Sequence, residues 1–427
     1  AVAWVAVLGG RRAAKLLGIS AAVSLSSITT AFAWSSDPSW NPFAETVPTY
    51  TPRYDRDFVR DWEANPPRGY PTISPNNIEP MKAAIKRYAA IVENGGWKKI
   101  PNIKLQVGVT HRAVALLRER LYLSGDLREG TSYPDYFDDT LERAVKRFQA
   151  SNGLAPTGIV DERTIAALNV PASARLRQLR INLDRITALA RSAGKRYVLV
   201  NIPAAQIEAV EDNRVVSRHS GVVGKIDRQT PELRSMIHEL NFNPVWTVPP
   251  TVITKDLIPK GREMSRRNED VLKVYGIDAY GPDGKKLDSS KINWSSSMVQ
   301  SLVFRQQPGK DNPLGFVKIN FHNNYSVYLH DTPSESMFGR NFRAASSGCV
   351  RVQNIEQLVT WLLRDNGWTM DQVLTLKKSG ERKDVTLKKP VPIYMVYITA
   401  WATEDGVVQF RRDLYQKDGV GEVAAAY

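Results

Sequence analysis

The strongest constraint on what this chain can fold into is a change of apolar period at Gly194. Before it, apolar residues recur three and four positions apart, as on one face of a helix. After it they gather in short β-rich runs at 197–202, 206–210, 215–223, 317–321 and 326–330. Separate blocks with these two periods bury different kinds of face, so the expected class is α+β and multidomain, and 427 residues suffice for two or three packed domains.

Within the helical part, Met81, Ala84, Ile85, Tyr88, Ile91 and Val92 share one face, and Gly95-Gly96 stops that helix. Residues 102–171 carry three more helical signals. Ala113, Leu116, Leu117 and Leu121 set the first; Leu141, Ala144, Val145 and Phe148, behind the capping pair Asp139 and Glu142, set the second. The third starts at Asp161 as N-cap, with Val160 and Ile165 as a hydrophobic staple. Together they predict a small three-helix domain. A connector helix over 172–194, apolar at Leu176, Leu179, Leu183 and Ile186, is expected to close at Gly194.

In the β part, Asn323-Asn324 separates two runs that read as a hairpin ending on His330. Between 255 and 305 the pattern lapses into mixed helical and turn sequence, including Gly281-Pro282-Asp283-Gly284, which predicts an inserted lid within a domain spanning 195–378. Asn354 with Gln357 reads as a capping box that opens a helix directly behind Cys349. Residues 379–427 read as a C-terminal extension, a strand pair that closes or buttresses the domain and carries no chemistry.

Residues 1–33 read as an export signal or a membrane anchor: Arg11, Arg12 and Lys15 precede a weakly apolar run, then Ala31-Phe32-Ala33 offers a cleavage site. Residues 34–101 follow as an extended leader and the first helix. The balance of 58 basic against 44 acidic side chains leaves +14, which favours a polyanionic neighbour such as nucleic acid, anionic lipid or cell wall without choosing among them. The export segment places the bulk of the chain outside the cytoplasm.

Exported chains usually pair their cysteines or lack them, so the single Cys349 stands out. The bland reading is a small buried hydrophobe. Against it stand His330-Asp331-Thr332-Pro333 and the run from Arg343 through Ser346-Ser347-Gly348-Cys349-Val350-Arg351, which put a histidine and a thiol at the edges of predicted elements. A thiol needs a base or a positive field to become a thiolate, and His330 could supply either, with Arg351 and Arg343 adding to the field. The amides of Ser347, Gly348 and Cys349 are candidate oxyanion donors. His111, His219, His238 and His322 read as structural or surface residues; no cluster has metal-ligand spacing, so neither a metal nor another cofactor is expected. Trp246 and Tyr328 read as strand aromatics, either core or lining of a groove.

Phe137-Asp138, Ala144-Val145-Lys146-Arg147-Phe148-Gln149, Asn152-Gly153-Leu154 and Thr157-Gly158-Ile159-Val160-Asp161 resemble the peptidoglycan-binding module of many wall enzymes. Val223-Gly224-Lys225, Thr230-Pro231, the run from Asn243 to Pro249, the run from Pro308 to Gly315, and the His330 and Cys349 segments resemble the YkuD-type L,D-transpeptidase catalytic domain. The whole chain looks like the large Gram-negative members of that family. The resemblance implies a mainly β catalytic domain of L,D-transpeptidase fold and a periplasmic site of action, free or attached to the inner membrane. It also implies peptidoglycan stem peptides as partners in place of nucleic acid, and acylation by carbapenems. By position it implies Cys349 as the acylated nucleophile, His330 as general base, and Arg351 as a residue holding the loop or a substrate carboxylate. Many relatives have a histidine where this chain has Ser347, so the group orienting His330 does not transfer, and a backbone carbonyl is the first expectation. Two other readings remain: a wall hydrolase in which water resolves the thioester, and a non-catalytic wall-binding protein.

Overall fold

The computed structural model describes residues 69–128, 130, 132–340 and 342–421. The segment read as an export signal or anchor, and most of the leader, lie outside the described residues. Among those described, no helix is long and apolar enough to cross a membrane.

Helix α1 (Ile78–Glu93) buries Met81, Ala84, Tyr88 and Ile91, the face its spacing marks. Helices α2 (Arg112–Ser124), α3 (Asp139–Ser151) and α4 (Glu162–Leu168) enclose a core that includes Leu117, Leu121, Phe137, Leu141 and Phe148. Asp161 caps α4 by accepting from the Thr164 N–H. The cap of α3 falls one residue earlier than expected: Asp138 has extended backbone and accepts from the Leu141 N–H, while Asp139 is already helical. Helix α5 (Ala172–Ala190) connects this module to the β part and ends on Arg191, short of Gly194.

Three strands, β1 (Arg196–Asn201), β2 (Gln206–Glu211) and β3 (Arg214–Gly224), form an antiparallel meander. Then come β4 (Leu233–Phe242), an insertion, and β8 (Val317–Phe321), β9 (Leu329–His330), β10 (Ala344–Ser346) and β11 (Val350–Val352). Helices α8 (Ile355–Leu362) and α9 (Met370–Ser379) precede the long β12 (Lys383–Val396). The order β3-β11-β9-β8-β4-β12-β1-β2 returns to β3 through its pairing with β2, so these strands close on themselves, and β10 adds to β3 from outside the ring. Strand β3 makes the closure: residues 214–220 pair with β2, and 221–222 with β11. The enclosed core takes Val198, Val200, Ile237, Ile319 and Ile393 from the strands and Leu358 and Leu362 from α8. Alternate residues Tyr197, Leu199, Tyr394 and Val396 point outward and are covered by α1, α5 and the hairpin of β13 (Ala400–Ala402) and β14 (Val408–Phe410). Strands buried on both faces lose their two-residue alternation.

Two expectations need correction. The catalytic unit does not stop at residue 378, because β12 lies between β4 and β1 in the ring and is no appended strand. Pro390 falls where the β12–β4 register shifts, between Thr386 and Val391, an irregularity that accommodates a residue without an N–H. The Asn354 capping box is also absent: Asn354 sits at φ 49°, ψ 43°, a left-handed conformation from which its side chain makes no cap hydrogen bond.

The insertion builds β5 (Trp246–Thr247), α6 (Ile258–Ser265), α7 (Val271–Tyr275), β6 (Ile277–Tyr280) and β7 (Val303–Gln306), with the three strands in the order β5-β7-β6. A π-helical turn at Ile253–Leu257 precedes α6. The unit has its own core around Trp246, Leu257, Trp294 and Phe304, and Tyr328 of the ring packs against it.

Candidate active site

The site grows out of sheet register. Strands β9 and β11 run parallel with Arg351 opposite His330, and β8 runs antiparallel to β9 with Lys318 opposite His330. Residues directly opposite share a face, and so do residues two apart. Cys349, one residue before β11, therefore stands with Arg351, Tyr328, His330 and Lys318 on one face of the ring. The other face of β8 sends Val317, Ile319 and Phe321 into buried positions.

Cys349 is half-buried, and burial pushes its thiol pKa up. Hydrogen bonding from Tyr328, through both backbone and side chain, pulls it down, as do the charges of Lys318 and Arg351. Tyr328 packs against the core of the insertion, which includes Trp246. Lys318 lies 4.4 Å from the centre of the Tyr328 ring, so its ammonium sits over the aromatic beside the thiol. Arg351 is buried and only 6% exposed. Its Nη1 contacts Met337 Sδ at 2.7 Å, its Nε has no partner, and among the described residues no carboxylate pairs with it.

His330, 4% exposed, has its pKa lowered to about 3, first by burial and then by Arg351. Its Nδ1 lies 2.5 Å from the Asp331 carbonyl, and the Pro313 carbonyl also acts on the ring. A neutral imidazole has one N–H, so it satisfies one of these carbonyls and leaves a lone pair at the other nitrogen. Among the described residues no hydrogen bond joins His330 to Cys349. The structure brings the His330 ring and the Cys349 thiol to one face without a hydrogen bond between them.

The Cys349 turn differs from the sequence reading in three respects. Cys349 precedes a strand, with α8 beginning only at Ile355, so no helix N-terminus faces the thiol. The Gly348 N–H is taken by Ser346 Oγ at 3.1 Å and is no oxyanion donor, whereas the Ser347 and Cys349 N–H groups have no partner among the described residues. Arg343 lies away from the site and donates instead to the carbonyls of Gly221, Ala204 and Arg340.

Sequence reasoning assigned no role to Lys318, Thr230, Arg228 or Tyr415. For Lys318 a signal existed, since the alternation of 317–321 puts it on the face that the hairpin register gives to His330. Arg228 donates to Ser347 Oγ at 2.9 Å and makes a two-pronged ion pair with Asp256 of the π-helical turn, at 2.5 and 3.1 Å. Ser347, which stands where many relatives have histidine, is thus tied to the insertion by a buried charge pair. The other histidines serve structure: His111 caps α2, His219 bonds to Ser217 and Gln353, and His238 stacks on His322 at 4.1 Å.

Residues 195–393 match the L,D-transpeptidase catalytic domain family, YkuD, and residues 110–168 match a peptidoglycan-binding domain family. A candidate L,D-transpeptidase of Haemophilus influenzae is 30% identical over 221 residues, which are 52% of this chain and 44% of that protein, so the chain spans less than half the length of this curated relative. Among solved structures, the L,D-transpeptidase of Xylanimonas cellulosilytica is 16% identical, with a TM-score of 0.23 over 70% of this chain and 98% of that one. The L,D-transpeptidase of Stackebrandtia nassauensis is 13% identical, with a TM-score of 0.27 over 68% and 94%. Structural likeness at that level adds nothing to the assignment, which rests on the domain matches and the curated relative. On those grounds the chain carries a YkuD-family L,D-transpeptidase catalytic domain behind a domain of the peptidoglycan-binding family.

Proposed function

We propose that this protein is a peptidoglycan L,D-transpeptidase in which Cys349 carries the acyl group. The carrying observation is the shared sheet face of Cys349, His330, Tyr328, Arg351 and Lys318 inside the region that matches the catalytic domain. Cys349 sulfur attacks the carbonyl carbon between the third and fourth stem residues while its proton passes to His330. The Cys349 N–H and the Tyr328 hydroxyl stabilise the oxyanion. The C–N bond breaks, the departing D-alanine amine takes the proton from His330, and a thioester remains. An amine of a second stem attacks the thioester, its proton leaves through His330, and the thiol is restored.

The charge pattern gives the substrate a part in this. Arg351 is a buried cation that no carboxylate pairs with among the described residues, and its field is the second cause of the low His330 pKa. A donor carboxylate docked on Arg351 offsets that field and raises the basicity of His330 when substrate is in place. The insertion acts as a lid whose core packs against Tyr328 beside the thiol. The same thiolate opens a strained β-lactam, so a carbapenem forms one adduct. The basic charge and the export-type N-terminus fit work at the wall in the periplasm.

The test is incubation of the protein with tetrapeptide wall fragments, read by product mass. Dimers lighter by one alanine than two tetrapeptides support the reading. Loss of alanine with water gained and no dimer shows a hydrolase, and unchanged fragments contradict both.

A further inference from the structure

The Cys349 turn is held from outside by residues far away in sequence. Thr230, fully buried, donates its hydroxyl to the Gly348 carbonyl at 2.8 Å and accepts the Gly224 N–H at 2.8 Å. The Thr230 N–H is taken by the hydroxyl of Tyr415 at 3.1 Å, and that hydroxyl donates to the Gly224 carbonyl at 2.5 Å. Tyr415 lies beyond the region matching the catalytic domain, which ends at residue 393. Its own place is well fixed. Its N–H donates to Tyr397 Oη at 2.6 Å, and that hydroxyl donates to the buried Asp413 at 2.7 Å. A few residues on, Asp418 pairs with Arg185 of α5 at 2.7 Å.

The Gly348 carbonyl and the Cys349 N–H belong to one planar peptide unit and point in opposite directions. Fixing the carbonyl therefore aims the N–H. That N–H has no partner among the described residues, and it belongs to the nucleophile itself. Gly348 sits at φ 118°, in the region where glycine lacks the restraint of a Cβ, so the plane would be free to turn if the carbonyl were released.

We propose that Tyr415 and Thr230 are positioning residues for the reaction. Through the Gly348 carbonyl they hold the Cys349 N–H toward the oxyanion, which makes the C-terminal segment part of the catalytic apparatus. The proposal rests on the acyl-transfer reading above.

The test compares two reagents on the same thiol. A carbapenem passes through a tetrahedral oxyanion; iodoacetamide alkylates sulfur by displacement and needs no oxyanion donor. Thr230→Val is expected to slow carbapenem acylation on the order of tenfold to a hundredfold, with iodoacetamide alkylation changed by less than about threefold. Thr230→Ser, which keeps the hydroxyl, restores acylation. Tyr415→Phe, which leaves Thr230 its hydroxyl, loses less, about tenfold or below, with the same selectivity for the carbapenem. Thr230→Val acylating at the parent rate, or Tyr415→Phe losing both reactions in parallel, would overturn the proposal. A parent protein that takes iodoacetamide but no carbapenem would instead overturn the acyl-transfer reading beneath it.

Discussion

The helical module of residues 112–168 and the turn of residues 346–351 are held by opposite means. In the module, Leu117, Leu121, Phe137, Leu141 and Phe148 are at most 2% exposed, and they come from two helices and the segment between them, near one another in the chain. Polar contacts there add the Asp138 and Asp161 caps and a buried network around Gln149. The turn has little apolar material and is held by hydrogen bonds from Thr230, Arg228 and Lys225, with Tyr415 and Asp256 behind them. An apolar core spreads its stability over many weak contacts, whereas a polar scaffold concentrates function in a few directional ones. Substitutions in the two regions should therefore separate stability from chemistry.

The largest expected effect is on the chemical side. His330→Ala should slow carbapenem acylation about 10²–10⁴-fold, the range for loss of a positioned base, with the melting transition of the module unmoved. Stopped-flow single-turnover rates beside a denaturant melt would show it, and an unchanged acylation rate would remove His330 from its role. Phe148→Ala should do the reverse, costing about 3–5 kcal/mol in the module while the acylation rate stays within about twofold. If acylation fell along with module stability, the two regions would not be independent and the comparison would break. Tyr328→Phe, which removes one hydroxyl beside the thiol, should slow acylation about tenfold, with iodoacetamide alkylation falling less, since that hydroxyl also helps to hold the thiol pKa down.

The smallest effects are pH dependences. Burial raises the Cys349 thiol above its ordinary value and keeps His330 neutral, so acylation of the free protein should keep rising as pH increases past neutrality. A plateau below about pH 7 would reveal a preformed thiolate and imidazolium, against the resting geometry. Stability should show the histidines directly. His330 and His219 have folded pKa values lowered to about 3 and about 4, so the unfolded chain binds their protons first, and stability falls as pH drops below about 6.5. Asp331, raised to about 6 by burial, acts oppositely and loses stability as pH rises from about 4 through 6. Asp126 and Asp418, also raised by burial, act with Asp331 against the two histidines, so melting temperatures measured between pH 7 and 4 should fall toward acid less steeply than the histidines alone would make them.

The contrast also explains what could be read from the sequence. The module was legible because its core residues repeat at helical spacing within short stretches, down to the Asp161 cap. Cys349 and His330 were legible as a lone thiol and a histidine at strand edges. The supports of the turn were not, because nothing local marks a hydroxyl that bonds 118 positions away, as from Thr230 to Gly348, or 191 positions away, as from Tyr415 to Gly224. Strand β12 was misplaced for a related reason: its C-terminal half is buried on both faces, so alternation vanishes. Polar scaffolding across a closed ring of strands is a property of the fold, and no window of sequence contains it.

The central claim is that Cys349 is the acylated nucleophile. Intact-protein mass spectrometry after mixing with a carbapenem tests it most directly, since Cys349 is the single cysteine of the chain and no other thiol competes. The account predicts one adduct per chain, mapped by peptide sequencing to the segment containing Cys349 and absent from a folded Cys349→Ala variant. No mass increase, or an increase that persists in Cys349→Ala, would contradict it.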